Sequence, residues 1–212
     1  MLFGKKRILV LSPHTDDGEL GCGATIYKLL QEGHEVFYAV FSICERSLSP
    51  EFPKDTLKKE LMQALSVLGV KESNLNLFDY KVREFDTHRQ DILEDLIKLR
   101  DKIKPDIVLV PSSTDVHQDH TVVYNEAIRA FKFVSILGYE LPWNTITFTT
   151  NCIIKLNEEA VNAKIEALKK YKSQNYRKYF NESFLRSLFY VRGTQINAEY
   201  AEAFEVIRWV IE

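Results

Sequence analysis

The sequence predicts an α/β fold: a Rossmann-like, mostly parallel sheet covered by helices, with a small C-terminal β/α extension. Three observations carry this reading. The runs "ILVL" at 8–11 and "IVLV" at 107–110 are apolar throughout and end in polar loops, as strands buried on both faces do. Strand-like and helix-like stretches alternate along the first half of the chain. Glycines stand where helices should stop.

Taken in order, residues 7–12 form the first buried strand, and 21–33 a helix whose end is marked by Gly33. "EVFYAVFS" follows as a strand and completes a β-α-β unit. A loop with Ser and Pro occupies 44–53. In "DTLKKELMQALSVLG", Leu57, Leu61, Ala64, Leu65 and Leu68 share one helical face, and Gly69 ends it. A strand near "LNLFD" comes next, and the helix "HRQDILEDLIKLRDKI" leads through Pro105 to the strand at 106–111. After about residue 135 the pattern changes. "NTITFTTNCIIKL" alternates as edge or antiparallel strands do, "EEAVNAKIEALKKYKSQ" is an amphipathic helix, and "AEAFEVIRWVI" reads as a final strand.

A chain of 212 residues, 45% hydrophobic and 12% aromatic, can bury a full core, and no linker or repeat divides it, so residues 1–212 read as a single domain. A formal net charge of −2 offers no basic footprint for nucleic acid or an anionic membrane surface and favours a small-molecule partner. No apolar stretch approaches the roughly 20 residues of a transmembrane helix, and "MLFGKKR" leads into no signal-like apolar region. Cys22, Cys44 and Cys152 form no C-x-x-C pair and suit a reducing compartment, so the expected location is the cytoplasm. The sequence leaves homo-oligomerisation open.

Two polar clusters follow the two strongest strands: "SPHTDDGEL" at 12–20 and "PSSTDVHQDHT" at 111–121. In open parallel sheets, sites are built outside the carboxyl ends of strands. His14, Asp16, Asp17, His117, Asp119 and His120 would therefore share one rim, and a divalent cation is the natural centre for that set. His and Asp ligands suit zinc, with ferrous iron or another divalent ion as alternatives, and three protein ligands leave an open position, which means catalysis. Zinc lowers the pKa of a water it binds to about 7, and a carboxylate that is not a ligand can take the proton. A helix N-terminus would account for one or two of the acids, but not for His14 beside two aspartates together with H-x-x-H elsewhere.

These motifs resemble the PIG-L-type (LmbE-like) family of zinc-dependent N-acetylglucosaminyl deacetylases. The family's H-P-D-D-x-E is matched by His14-Thr15-Asp16-Asp17-Gly18-Glu19, and its H-x-D-H by His117-Gln118-Asp119-His120. "YELPWN", "KIEALKKYKSQ" and "RGTQINAEYAEAFEVIR" are similar to its later stretches, so the resemblance spans nearly the whole chain. It implies His14, Asp17 and His120 as metal ligands and Asp16 as general base. It further implies His117 as the group stabilising the oxyanion, Asp119 as the group orienting a histidine, and Glu19 as an outer support. The implied substrate is a small N-acetyl amino sugar or conjugate. Thr15 replaces the usual proline. Leu57 stands where the family's R-x-x-E, aligned on Glu60, has its arginine, which leaves Lys58, Lys59 or Arg46 to substitute; Arg46, just past the second strand and on the same rim as the clusters, is the candidate substrate contact.

Other readings are weaker. "GELGCG" spaces its glycines in the reverse order of a dinucleotide fingerprint, and its acids would repel a pyrophosphate. A two-metal phosphoesterase needs more ligands than these clusters hold. A non-catalytic metal-containing sugar- or nucleotide-binding module has no use for Asp16. His34 and His88 stand apart from the acids and read as surface or capping residues, and Trp143 as a packed loop aromatic.

Overall fold

Within β1 (Arg7–Ser12), Ile8 and Val10 join the core on one face of the sheet and Leu9 and Leu11 the core on the other, all fully buried. Both faces must then carry helices. The computed structural model, which describes residues 4–211, has this arrangement. The further strands are β2 (Glu35–Val40), β3 (Leu75–Leu77), β4 (Ile107–Pro111), β5 (Ser135–Tyr139), β6 (Cys152–Leu156) and β7 (Tyr200–Arg208). The helices are α1 (Asp17–Gln31), α2 (Thr56–Leu68), α3 (Arg89–Ile103), α4 (Gln118–Ala130), α5 (Glu158–Leu168) and α6 (Glu182–Thr194). Residues of α1, α2, α5 and α6 pack on the Ile8 face, and those of α3 and α4 on the Leu9 face.

The strand order is β3-β2-β1-β4-β5-β7-β6, parallel from β3 to β5, with β7 antiparallel to both β5 and β6. The order reverses between β1 and β4, which makes their carboxyl ends the switch point of the sheet. Val10 pairs with Leu109, so the chain leaves β1 and β4 side by side. That adjacency brings the two polar clusters together.

The mostly parallel sheet and the antiparallel C-terminal strands match the expectation. Several boundaries differ. The first helix starts at Asp17 rather than 21, because the motif itself forms its first turn. Residues 144–151 form no strand, and the helix after β6 stops at Leu168 before a 3-10 turn at Lys172–Gln174. Helices α4 and α6 and strand β5 were not anticipated.

Helix α1 is broken at Cys22 (φ −144°, ψ 23°). An unbroken helix would pair the Leu20 carbonyl with the Ala24 N–H. Here the buried Lys164 Nζ donates to the Leu20 carbonyl (2.6 Å), while Glu202 accepts from Ala24 (3.3 Å) and Thr25 (2.7 Å). Lys164 and Glu202 pair with each other at 2.7 Å. An ion pair from α5 and β7 thus serves both ends of the break and sets the direction of the first turn.

Candidate metal centre

The Ser12 hydroxyl, at the end of β1, donates to the His14 carbonyl (2.5 Å) and accepts the Gly18 N–H (3.0 Å). These bonds fold residues 13–17 into a tight loop that becomes the first turn of α1. Position 18 must be glycine, because a Cβ there would collide with the Tyr38 ring.

Asp17 Oδ2 accepts the His14 backbone N–H at 2.9 Å and lies 3.0 Å from both His14 Nδ1 and His120 Nε2. The two ring nitrogens are 3.1 Å apart. Each ring turns its other nitrogen to a second carboxylate: His14 Nε2 to Asp119 Oδ2 (3.0 Å), and His120 Nδ1 to Asp115 Oδ2 (2.7 Å). With those outer nitrogens donating, Asp17 Oδ2, His14 Nδ1 and His120 Nε2 aim three lone pairs at one another. Such a triangle repels itself unless a cation sits among the three atoms or both rings carry an extra proton. A tetrahedral zinc with ligands at about 2.0–2.1 Å sets them roughly 3.3 Å apart, close to this spacing. The donor set therefore fits a divalent ion. His117 is near as well, since one nitrogen from each of His14, His117 and His120 falls within 4.8 Å of the others.

Protonation follows the same logic. Burial works against charge on His14 and His120, but Asp17, aided by Asp119 at His14 and Asp115 at His120, outweighs it. His14 is raised, and His120 is raised to about 10. Burial would raise Asp17, yet His120 and His14 hold it well below the usual carboxylate range. Both histidines are pushed toward the charged form by the carboxylates around them, so the site favours positive charge.

His117 is the N-cap of α4, where its Nδ1 accepts the Asp119 N–H at 3.2 Å, so the proton of the neutral ring resides on Nε2. Burial, then His120 and His14, lower its pKa to about 4, which keeps the ring neutral. Asp16 stands at the N-cap of α1, but its side chain makes no capping hydrogen bond; burial, then the adjacent Asp17, push it up to about 6. Asp119 Oδ2 also accepts the Arg83 N–H (2.7 Å), while its buried Oδ1 has no hydrogen-bond partner among the described residues. Glu19 lies behind the loop, bonded by Tyr38 and by Tyr171 (2.7 Å). Burial pushes it to about 8, and Tyr171 in turn reaches the Thr15 carbonyl at 2.5 Å.

A cavity of about 250 Å³ opens on this cluster, with His14, Asp16, Asp17, His117 and His120 in its wall. Its lining also includes Leu57, Trp143, Asn144, Gln174, Arg177 and Tyr179. Trp143 stacks on Tyr179 at 3.9 Å. Arg46 does not line this cavity; it pairs with Glu84 and borders a neighbouring one. His34 is buried and accepts the Lys6 N–H, and His88 precedes α3 beside Asp91.

Sequence reasoning missed Asp115, Arg177 and the Glu60 anchor. Asp115 stood inside the quoted second cluster, five residues before His120, where an acid behind a histidine could have been suspected. Glu60 accepts from the Ser173 N–H (2.9 Å) and hydroxyl (2.6 Å), fixing the segment that carries Gln174 and Arg177. No local signal pointed to Arg177.

The family model described as GlcNAc-PI de-N-acetylase, PIG-L, matches residues 9–131. The Escherichia coli (strain K12) protein described as uncharacterized deacetylase YaiS is 32% identical over 175 residues, covering 80% of this chain and 92% of YaiS. The N,N'-diacetylchitobiose deacetylase structure from Pyrococcus horikoshii superposes with a TM-score of 0.80 at 24% identity, over 95% of this chain and 84% of its own. The 4-carboxy-2-hydroxymuconate hydratase GalB of Pseudomonas putida KT2440 also shares the fold, with a TM-score of 0.79 at 19% identity, over 98% of each chain. With its motifs on adjacent strand ends and the family model spanning more than half its length, the chain belongs to the PIG-L (LmbE-like) deacetylase family.

Proposed function

We propose that this protein is a metal-dependent hydrolase that removes the N-acetyl group from an N-acetylglucosamine-type sugar or small conjugate. The observation that carries the reading is the triangle of His14 Nδ1, Asp17 Oδ2 and His120 Nε2 at 3.0–3.1 Å, with the Asp16 carboxyl and the neutral His117 lining the same cavity. His14, Asp17 and His120 would hold the ion, zinc or another divalent metal. When bound, it supplies a Lewis acid for the amide carbonyl and lowers the pKa of water. Asp16, poised near neutrality by its burial, takes a proton from the attacking water and returns it to the leaving nitrogen. His117 offers its Nε2–H to the oxygen that becomes negative in the tetrahedral intermediate. Asp119 holds the His14 ring in place, and Asp115 the His120 ring. Glu19 and Tyr171 brace the loop from behind.

A cytoplasmic, water-borne substrate suits this reading; among the described residues no helix is long and apolar enough to cross a membrane. Because a hydratase shares the fold, the reaction needs direct assay. Metal-loaded protein is incubated with N-acetyl sugars, nucleotide sugars and N-acetylglucosaminyl conjugates, and acetate is measured together with the amine product. Stoichiometric acetate and amine are expected. No acetate from any of them with the metal fully bound would overturn the proposal, and water addition to an unsaturated acid would replace it.

A further inference from the structure

A general base must be aimed at the proton it takes, and Asp16 has little to aim it. Its carboxyl makes no capping hydrogen bond, and among the described residues no other side chain bonds to it. Its direction is therefore set by the backbone on either side. After it, the Asp16 carbonyl accepts the Leu20 N–H at 3.0 Å as the first turn of α1 closes. Before it, the Thr15 carbonyl and the Asp16 N–H belong to one planar peptide, so a group that grips that carbonyl fixes the chain's approach to the Asp16 Cα. The Tyr171 hydroxyl grips it at 2.5 Å, from 156 positions along the sequence. Tyr171 is itself fixed, with its N–H on the Leu168 carbonyl (3.1 Å) and its ring edge-on to Phe180 at 5.8 Å.

Thr15, Glu19, Tyr38 and Tyr171 are each 1% exposed or less, so their few protons can be counted. A carbonyl oxygen only accepts, and a phenol has one proton. Two oxygens 2.5 Å apart need a proton between them, so that of Tyr171 lies toward the Thr15 carbonyl. The same Tyr171 oxygen stands 2.7 Å from Glu19 Oε1, where, with its own proton committed, it can only accept. Glu19 is then the donor: a neutral carboxylic acid with its proton on Oε1, while Oε2 accepts from the Tyr38 hydroxyl. An ionised Glu19 would claim the Tyr171 proton and leave the buried Thr15 carbonyl facing a bare oxygen.

We propose that Tyr171 is a positioning residue for the general base: with a neutral Glu19 donating to it, it pins the peptide that aims the Asp16 carboxyl. The part played by Asp16 rests on the deacetylase reading; the proton chain behind it does not.

Two arms test this on the metal-loaded protein. Infrared difference spectra of wild type against Glu19→Gln at neutral pH should show the band of one protonated carboxylic acid lost in the variant; loss of a carboxylate band instead would overturn the proton chain. The second arm is turnover of N-acetylglucosamine and the other sugars of the acetate screen. Tyr171→Phe keeps the ring and removes the proton, and should lower kcat about 10-fold or more with KM and metal affinity within about twofold, the pattern of a misaimed group rather than a lost contact. Glu19→Gln presents an amide N–H to Tyr171 and an amide oxygen to Tyr38, as a neutral acid does, and should keep kcat within about threefold. Unchanged kcat in Tyr171→Phe overturns the positioning role, as does a kcat loss in Glu19→Gln equal to that in Tyr171→Phe. If Tyr171→Phe does not fold, the infrared band and the kcat of Glu19→Gln still decide. Absence of acetate from every sugar would overturn the deacetylase and leave the infrared arm standing; wild-type acetate release by Tyr171→Phe would overturn the positioning role alone.

Discussion

Asp115 offers the sharpest test of how the centre is held. One carboxylate oxygen faces His120 Nδ1 at 2.7 Å and the other accepts the His117 N–H at 2.8 Å, so a single buried side chain sets the ring of one histidine and the backbone of another. Asp115→Asn has nearly the same shape but only one acceptor. If its amide oxygen faces His120, the NH2 meets the His117 N–H, and two donors oppose each other. If the NH2 faces His120, Nδ1 becomes the acceptor and the proton moves to Nε2, the atom the metal needs. Either outcome lowers metal affinity, and the loss of such an outer carboxylate typically costs about 10–100-fold, or roughly 1.4–2.7 kcal/mol. Competition against a fluorescent chelator reads the affinity, with circular dichroism to show that the fold is retained. Ser113→Ala, on the same loop but bonded to Glu205, serves as the control. A folded Asp115→Asn protein that binds metal within twofold of wild type would refute the argument that His120 is oriented through Asp115.

Asp16→Asn should keep its metal and lose about 10²–10⁴ in kcat, as a missing general base does; unchanged turnover would remove Asp16 from that role. Because Asp16 must be ionised to accept a proton and stands near 6, kcat should fall as pH drops; a bound cation favours the carboxylate, so the acid limb is expected at or below pH 6. His117→Ala should lower kcat by about 10²–10³ with little change in substrate affinity, and a loss confined to KM would contradict an oxyanion role. Lys164→Met leaves Glu202 buried without its cation and should destabilise the fold by about 3–5 kcal/mol, read by urea denaturation. A change under about 1 kcal/mol would mean that the break in α1 does not depend on the pair.

Much of the site was legible because its chemistry is local. His14 and Asp17 share one turn, His117 and His120 share another, and buried strands before both placed them on one rim. The parallel sheet was legible for a related reason, since full burial on both faces leaves an apolar run without alternation. The same polar density concealed structure: "HQDHTVVYNEAIRA" carries Val122, Val123, Ala127 and Ala130 as the buried face of α4, but its ligand-like start read as loop. The segment "ESFLRSLFYVRGT" is rich in residues that also suit strands, and its helical nature is decided by packing of Leu185 and Phe189 on the core. Arg177 was invisible because a loop after α5 delivers it, and that loop is fixed beside the cavity by distant partners, Glu60 on α2 at Ser173 and Glu19 at Tyr171. Arg46, chosen for its place on the rim, went to Glu84 because a nearby carboxylate outcompetes open solvent.

Removal of the metal distinguishes a catalytic centre from a structural one. Zinc that organises a fold leaves an unfolded chain when chelated. Here each proposed ligand is fixed by bonds that do not involve an ion: Asp17 by the His14 N–H, His14 by Asp119, His120 by Asp115. The two cores on either side of the sheet are built from side chains of the helices and strands. The triangle of donors is therefore kept by the scaffold, and the neighbouring carboxylates raise the proton affinity of both histidines, so that protonation can take part of the cation's place. Chelated protein should keep its far-ultraviolet circular dichroism and lose acetate release. Its melting temperature should fall only by the binding free energy of the ion. At a free metal concentration 1,000 times Kd that is about 4 kcal/mol, or about 8–16 °C for a chain of this size. Readdition of metal should restore both melting and turnover. A chain that unfolds outright on chelation at 25 °C would show that the centre is part of the fold's own stability, and the case for a preorganised catalytic site would fail.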